Sequence, residues 1–319
     1  MVSILIRSMD RPSLQRALDS VVAQTWPSIE IVVVAASGAS HRDLPPEIRG
    51  RTVRLVHAAS GLPLSRPDAA NLAISHVRGE WFNFLDDDDE FLPHHVETLV
   101  TASGLAAQRV RYSRTAVRDE HGHVTGHSGS PGFHAQLYFQ ARGTFIATMF
   151  HRSLLDEGVR FDPAFLSFQD RDFMVNCATR TAFGFVDAVT CVWNAHTGES
   201  GSGHGQNRRS TVQDTYLPML RQKWAAAFDQ WLAKPEALLF MGQHLLREQK
   251  PQQALRYLEQ ALADAPRDVN ALNLCAMANF HVGNFARAEA LLRNAIMLYP
   301  DIDSIRSNLA LVLSGRRAP

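Results

Sequence analysis

Between Val2 and Leu85 four short runs, Val2 to Ile6, Glu30 to Ala35, Thr52 to His57 and Trp81 to Leu85, are rich in β-branched, aromatic and leucine side chains. Runs with so little polar character on either face suit strands of a parallel sheet covered by helices on both sides. Helical segments separate them. One begins near Pro12 and Ser13 and carries Leu14, Ala17, Leu18, Val21 and Val22 at helical spacing; another has Ser65 as its cap and Pro67 in its first turn, followed by Ala70, Leu72, Ala73 and Ile74. Strand and helix in alternation predict an α/β domain with a mostly parallel sheet. Ligands of such sheets bind beyond the carboxyl ends of the strands, so Arg7 to Asp10, Ala36 to Gly38 and Asp86 to Glu90 are expected to share one rim.

The fourth run ends in Leu85-Asp-Asp-Asp-Asp-Glu90. Five carboxylates at the end of a buried strand repel one another where the dielectric is low, and a hard divalent cation offsets that repulsion. The competing reading is a solvated acidic turn. Position at a strand's carboxyl end favours the cation.

From about Gln108 to His196 the pattern is less regular, with a turn expected at His121-Gly122, a strand-like stretch from Thr144 to Phe150 and a helix after Asp170. Gly198 to Gly205 is a glycine-serine tract, read either as a loop that orders over a ligand or as a surface linker. Arg208 and Arg209 follow it, a basic pair that suits phosphate or simply solvent. Trp224, Phe228 and Trp231 then recur at helical spacing and are expected to form a packing face at a joint between domains.

The last 85 or so residues repeat with a period of 34: Gly242, Ala276 and Ala310 are so spaced, as are Ala254 and Ala288, Ala261 and Ala295, and Pro266 and Pro300. Small residues where paired helices cross and a proline at each unit's end resemble the tetratricopeptide repeat. Two full repeats are expected from Pro235 and Val269, with an incomplete or capping helix from Asp303 to Leu313. The predicted organisation is therefore a domain over 1–218, a helical joint over 219–234 and a repeat array over 235–319.

Thirty-two basic residues balance thirty-two acidic ones in the 319, so no global field favours nucleic acid. Lys223, Lys234 and Lys250 are the only lysines, the usage of a GC-rich bacterial genome, although arginine also suits diphosphates. Cys177, Cys191 and Cys275 form neither a disulfide pattern nor a zinc ribbon, which points to a reducing compartment. The N-terminal run enters a strand with no basic leader or cleavage site, and no apolar stretch reaches membrane-spanning length. A cytoplasmic protein with at most peripheral membrane contact is expected.

Six elements in order, Ile6-Arg-Ser-Met-Asp-Arg-Pro12, Gln24-Thr-Trp-Pro27, Ile31-Val-Val-Val-Ala-Ala36, Asp68-Ala-Ala-Asn71, Gly79-Glu-Trp81 and Leu85-Asp-Asp-Asp-Asp89, make the first 100 or so residues resemble family 2 glycosyltransferases of the GT-A fold. The resemblance implies a nucleotide-diphosphate sugar as donor, a hydroxyl acceptor on a glycan, lipid-linked glycan or protein, Mn²⁺ or Mg²⁺ as cofactor, and inverting transfer, in a setting of bacterial surface polysaccharide or glycoconjugate synthesis. Carried over by residue, Asp86-x-Asp88 resembles the Asp-x-Asp motif, with Asp88 as metal ligand and Asp86 and Asp87 near the ribose or a metal-bound water. Arg7, Asp10 and Asn71 are the further donor-side candidates. Phe168-Gln-Asp-Arg-Asp-Phe173 resembles the acceptor-side Glu-Asp motif, which makes Asp170 the candidate general base; Asp172 is expected to face elsewhere. His196 resembles a histidine that in some GT-A enzymes meets the metal or the diphosphate.

Departures accompany the matches. Ala35 and Ala36 stand where family members carry an aspartate for the base, Gln169 stands in the glutamate position, and Arg7 replaces a proline. The Arg7 guanidinium is placed to reach a base, a phosphate or a rim carboxylate. Two rivals follow. One is nucleotidyl transfer, which lacks its glycine-rich loop with an adjacent lysine here. The other is a catalytically impaired scaffold that works through its repeats as a protein-interaction module.

Overall fold

The computed structural model describes residues 1–129, 145–197 and 210–315, which form two compact units, Met1–Trp224 and Ala225–Pro319. The predicted Gly198 to Gly205 tract, Arg208, Arg209 and Thr144 lie outside the described residues.

In chain order the first unit runs β1 (Val2–Ser8), α1 (Leu14–Val22), β2 (Ile29–Ala35), β3 (Glu47–Ile48), β4 (Arg51–Val56), α2 (Arg66–Ser75), β5 (Trp81–Asp86), β6 (Glu90–Phe91) and α3 (His95–Val100). It continues with β7 (Val110–Arg118), β8 (Val124–Ser128), β9 (Thr148–His151), α4 (Ser153–Asp156), α5 (Gln169–Ala178), β10 (Phe183–Asn194) and α6 (Ser210–Lys223). Among the described residues the strands make one sheet in the order β3-β4-β2-β1-β5-β9-β7-β10-β6, with β8 paired to β7. The pairs β4/β2, β2/β1, β1/β5 and β7/β10 are parallel and carry most of the register, while short antiparallel pairs join and edge them. The sheet is thus mixed and mostly parallel, as the alternation of strand and helix predicts.

Alternate side chains of a strand point to opposite faces, and here both faces are covered. Leu5, Val32, Val34, Phe82 and Phe84 pack with Ala69, Ala70 and Ala73 of α2 and Phe173 of α5. Ile4, Ile6, Ile31, Val33 and Leu85 pack on the other side with Leu14, Ala17, Leu18 and Val21 of α1 and Val96 and Leu99 of α3. Each such large side chain contributes roughly 1.5–3 kcal/mol by leaving water. α2 starts where Ser65 Oγ accepts the Asp68 N–H at 3.3 Å and Pro67 fills the first turn, as its sequence signals predict.

In the second unit α7 (Ala225–Leu232) precedes α8 (Pro235–Arg247), α9 (Pro251–Asp264), α10 (Val269–His281), α11 (Phe285–Leu298) and α12 (Asp303–Gly315), which are the two expected repeats and their closing helix. The period has a steric cause. A Cβ on Gly242 would stand 2.2 Å from Leu258 Cδ2, so glycine leaves this space to the buried Leu258 side chain where α8 and α9 meet. Ala276, 34 positions on, is fully buried, whereas Ala310 is exposed on α12, after which no further helix is described. Asp268 caps α10 by accepting the Ala271 N–H at 2.7 Å.

The aromatic stripe is divided between the units. Trp224 closes the first, donating Nε1–H to Asp172 at 2.7 Å, while Phe228 and Trp231 lie 5.9 Å apart by ring centroid in the second, with Phe240 6.3 Å from Trp231. Position 218 falls inside α6, which runs on to Lys223. No helix among the described residues is long and apolar enough to cross a membrane.

Candidate active site

Strand register places the predicted rim. Arg7 of β1 lies opposite Val34 of β2 and Asp86 of β5, so the carboxyl ends of three parallel strands finish side by side. After β5 the chain turns, the Asp89 N–H bonding to Asp86 O at 3.1 Å, and successive carboxylates meet different partners. Asp86 forms an ion pair with Arg7. Asp87 accepts the Met9 N–H at 2.7 Å and Arg11 Nη1–H at 2.9 Å. Asp88 Oδ2 lies 3.1 Å from Thr197 Oγ1 and 3.6 Å from Arg11 Nη1. Asp89 is buried and accepts the Asn194 N–H at 2.8 Å, and Glu90 pairs with Arg118 at 2.6 Å and Arg16 at 3.1 Å.

These surroundings set the protonation of the run. Burial lifts Asp87 above the ordinary carboxylate range, against the pull of the Met9 N–H and Arg11. Burial, then the charges of Asp86 and Asp87, push Asp88 up to about 6, with Arg11 and Thr197 opposing. Asp89 is raised well above its usual value, first by burial and then by Asp88 and Asp86. Asp88 therefore titrates nearer neutrality than a free carboxylate. Among the described residues no three of histidine, cysteine, aspartate and glutamate come together in a metal-holding group. Mg²⁺-type sites need no such cage, because one or two carboxylates and substrate phosphates complete them. Exposed His196 lies one residue from Thr197, so the two predicted metal-side residues belong to neighbouring stretches of chain.

Asp170 stands in the first turn of α5, entered through Phe168 in the left-handed region at φ 59°. Its Oδ1 accepts the N–H of Arg171 at 2.9 Å. The charges of Asp170 and Asp86 both favour the charged forms of Arg7 and Arg66. Asp172 faces elsewhere, as expected. It is buried against Lys223 Nζ at 2.8 Å and Trp224, and Lys223 also reaches Asp162 at 2.7 Å. This cluster fixes α5 against α6.

The remaining candidates bind the scaffold. Asn71 donates from Nδ2 to Phe161 O at 2.9 Å and accepts the Phe161 N–H at 3.0 Å, tying α2 to the chain that leads into α5. Asp10, at φ 61°, accepts the Arg42 N–H at 3.0 Å and pairs with its Nε at 3.1 Å, clamping the loops after β1 and β2 together. Ala35 and Ala36 are buried, and Ala36 bonds Ser8 O and the Leu64 N–H through its backbone. Gly38 follows at φ 86°, where a Cβ would stand 2.8 Å from Gly61 O, so this loop too has a fixed path. Arg11, Arg16, Asn194 and Thr197 were not singled out by sequence; their partners lie far off in the chain, and no local pattern marks them.

Residues 3–157 match the family model of Glycosyl transferase family 2, and residues 245–309 that of the tetratricopeptide repeat. Over 100 residues, 30% of the chain, the sequence is 32% identical to an uncharacterized glycosyltransferase of Rickettsia felis and 30% identical to one of Rickettsia bellii. The match spans only 16% and 14% of the lengths of these curated relatives. In fold, the chain is similar to the crystal structure of S. aureus TarS 1-349 in complex with UDP-GlcNAc, with a TM-score of 0.50 at 15% identity over 99% of this chain and 91% of that one.

Proposed function

We propose that the chain is an inverting, divalent-cation-dependent transferase that moves a sugar from a nucleoside diphosphate donor to a hydroxyl acceptor, a reading supported by the match of residues 3–157 to the model of glycosyl transferase family 2 and of residues 245–309 to that of the tetratricopeptide repeat. The observation that supports this reading is the acidic turn at the carboxyl end of β5, where among the described residues Asp88 Oδ2 meets only Thr197 Oγ1 at 3.1 Å and Arg11 Nη1 at 3.6 Å while its neighbours are held by other partners. That the fold neighbour TarS was crystallised with UDP-GlcNAc supports a nucleotide-sugar as the donor class.

Asp88, with His196 next to its hydrogen-bond partner Thr197, would hold Mn²⁺ or Mg²⁺. When bound, the ion supplies Lewis acidity that neutralises charge on the departing nucleoside diphosphate. Asp170 takes the proton of the acceptor hydroxyl as its oxygen attacks the anomeric carbon; a single displacement needs only this one carboxylate and inverts the centre. The Asp172, Lys223 and Trp224 cluster and the Asn71 clamp on Phe161 hold the helix from which Asp170 projects. The acceptor is a glycan, a lipid-linked glycan or a protein, in surface polysaccharide or glycoconjugate synthesis in a bacterial cytoplasm, and the repeats offer a surface for a protein partner.

A thermal-shift panel of uridine, guanosine and thymidine diphosphates and their sugars, with and without Mn²⁺, tests the reading. At least one nucleotide should raise Tm in a concentration-dependent way and only with the cation, since a ligand of the folded state alone must stabilise it. No shift with any nucleotide would favour the scaffold reading that Ala35, Ala36 and Gln169 motivate.

A further inference from the structure

The backbone at Asp88 is held from two sides by elements distant in sequence. Its carbonyl accepts from Arg16 Nη2 of α1 at 3.2 Å and from Asn194 Nδ2, at the end of β10, at 2.7 Å. The Asn194 N–H goes to Asp89 Oδ1 at 2.8 Å, so one buried asparagine bonds both to the backbone of the acidic turn and to a buried carboxylate within it. Ala195 extends the hold by donating its N–H to Arg118 O at 3.2 Å, and Arg118 pairs with Glu90 at 2.6 Å. With the backbone fixed, the side-chain torsions alone decide where the Asp88 carboxylate points.

Thr197 acts on those torsions. Asn194 O accepts the Thr197 N–H at 3.0 Å and lies 2.7 Å from its Oγ1, which closes a turn beyond β10 and sets the hydroxyl 3.1 Å from Asp88 Oδ2. A hydroxyl has one hydrogen, and this one has two acceptors, so it can donate to the carboxylate or turn to the carbonyl and stay bonded in either state. Both side-chain contacts of Asp88 fall on the same oxygen, since Arg11 Nη1 also approaches Oδ2, at 3.6 Å. Oδ1 has no partner among the described residues, and the side chain keeps 12% exposure, so this second oxygen is not sealed in. A carboxylate gripped by one oxygen with the other left open is arranged as a monodentate cation ligand, whose orientation is set by the hydrogen bond it accepts.

The hydroxyl is not needed to fasten the turn. β6 already pairs with β10 through Phe91 with Cys191 and Glu90 with Val192, the Leu92 N–H bonds to Thr190 O at 2.8 Å, and Asn194 adds its two bonds. Thr197 itself is half-buried and belongs to no apolar cluster of the first unit. Its contact with Asp88 Oδ2 therefore orients a side chain that the rest of the clasp leaves free to turn.

We propose that Thr197 is a positioning residue for the cation site: its hydroxyl, carried on the turn that Asn194 closes, holds Asp88 Oδ2 so that Oδ1 is presented to the divalent ion. The inference rests on the cation-dependent transferase reading and extends the site from the acidic run to the end of β10.

Thr197→Val keeps the shape and removes the hydroxyl, whereas Thr197→Ser keeps the hydroxyl and removes the methyl. Mn²⁺ is titrated by calorimetry onto the full-length protein with the uridine, guanosine or thymidine diphosphate that the thermal panel selects. Thr197→Val should bind Mn²⁺ about tenfold more weakly than wild type and Thr197→Ser within about twofold of it, the scale on which the hydrogen-bond partner of a metal ligand acts. Thr197→Ala should repeat the loss, which guards against an effect of the valine methyl. Without metal or nucleotide, the melting temperatures of all four proteins should agree within a few degrees. Unchanged Mn²⁺ affinity in Thr197→Val overturns the proposal, whether or not Tm falls, because the hydroxyl then only braces the chain. Tighter binding overturns it as well, since the hydroxyl would then compete with the cation. A loss that Thr197→Ser does not repair assigns the effect to shape and not to the hydroxyl, and sinks it equally. Failure of the transferase reading looks different: no nucleotide binds wild type with Mn²⁺, whereas wild type that binds while Thr197→Val matches it refutes the role of Thr197 alone.

Discussion

Asp86 to Asp89 are consecutive in the chain and yet meet different partners, because β5 ends at Asp86 and the turn beyond it aims each carboxylate at another element. Asp86 and Asp87 are each neutralised by an arginine, Asp89 is buried beneath Asn194, and Asp88 is left with a hydroxyl and a more distant guanidinium. Asp88→Asn should therefore abolish cation-dependent nucleotide binding while leaving Tm without ligand within a few degrees, since the change removes charge at a rim and no packing. Unchanged Mn²⁺-dependent binding in the variant would exclude Asp88 as the ligand. The sign of the pH effect follows from the raised pKa. Below about 6 a proton competes with the cation for Asp88, so affinity should fall by up to about tenfold per pH unit there and level off above it. Asp170→Asn should lower sugar transfer by roughly two to four orders of magnitude, the scale of a general base, with donor and cation affinity unchanged. Parallel loss of binding and rate would instead make Asp170 a donor-side or structural residue. The acidic run declared itself in the sequence because five acids closing an apolar strand are conspicuous. The residues that tell the acids apart did not: Arg11 stands 76 positions from Asp87, and Thr197 stands 109 from Asp88. Nothing local in either stretch encodes those pairings.

One buried histidine joins three elements behind the acidic turn. His95, on α3, places Nε2 3.0 Å from Asn83 Oδ1 on β5 and Nδ1 2.7 Å from Thr190 Oγ1 on β10, with its ring stacked 4.1 Å from Phe91 of β6. Burial lowers its pKa from 6.5 to about 3. The unfolded chain thus takes up a proton near 6.5 that the native state refuses until about 3. Its contribution to stability is complete above 6.5 and is lost as pH falls toward 3, at up to about 1.4 kcal/mol per unit. Urea midpoints measured from pH 7 down to 4 should fall, and His95→Gln should flatten that slope while lowering the midpoint at pH 7. An unaltered slope in the variant would assign the acid sensitivity to other groups. The elements themselves were unevenly legible. β1, β2, β4 and β5 and helices α1 and α2 fall where apolar runs and capping residues place them, because each except the half-buried β4 is buried on at least one face. In the other half of the sheet β9 falls at the end of the strand-like stretch from Thr144 to Phe150, whereas β6, β7 and β10 were not legible; β10 shifts register against β7 between Phe185 and Val189 and again before Cys191, which breaks the period of two that reveals a strand.

At the scale of the whole chain, the repeat period marks the paired helices from Pro235, while the second unit already begins at Ala225 and composition alone did not show how far the first extends. α6 runs past 218, and its last turn holds Leu220, buried with Phe165 and Phe168, and Lys223, paired to Asp162 and Asp172; Trp224 follows with its hydrogen bond to Asp172. A chain stopped at Pro218 leaves Asp172, already raised in pKa by burial, without either neighbour that offsets the burial. Removing the partner of a buried charge costs about 3–5 kcal/mol, and the loss of Leu220 from its cluster adds to that. A chain stopped at Lys234 keeps all of these contacts. The residue 1–218 fragment is accordingly expected to melt well below the full-length protein and to aggregate, while the 1–234 fragment keeps both its melting transition and cation-dependent nucleotide binding. Donor hydrolysis by the 1–234 fragment should then match the full chain, and any deficit in transfer to the native acceptor measures what the repeats contribute to acceptor capture. Equal melting temperatures for the two fragments would show that the Lys223 and Trp224 cluster does not stabilise the first unit. A 1–234 fragment as unstable as the shorter one would mean that the first unit needs the repeats to fold.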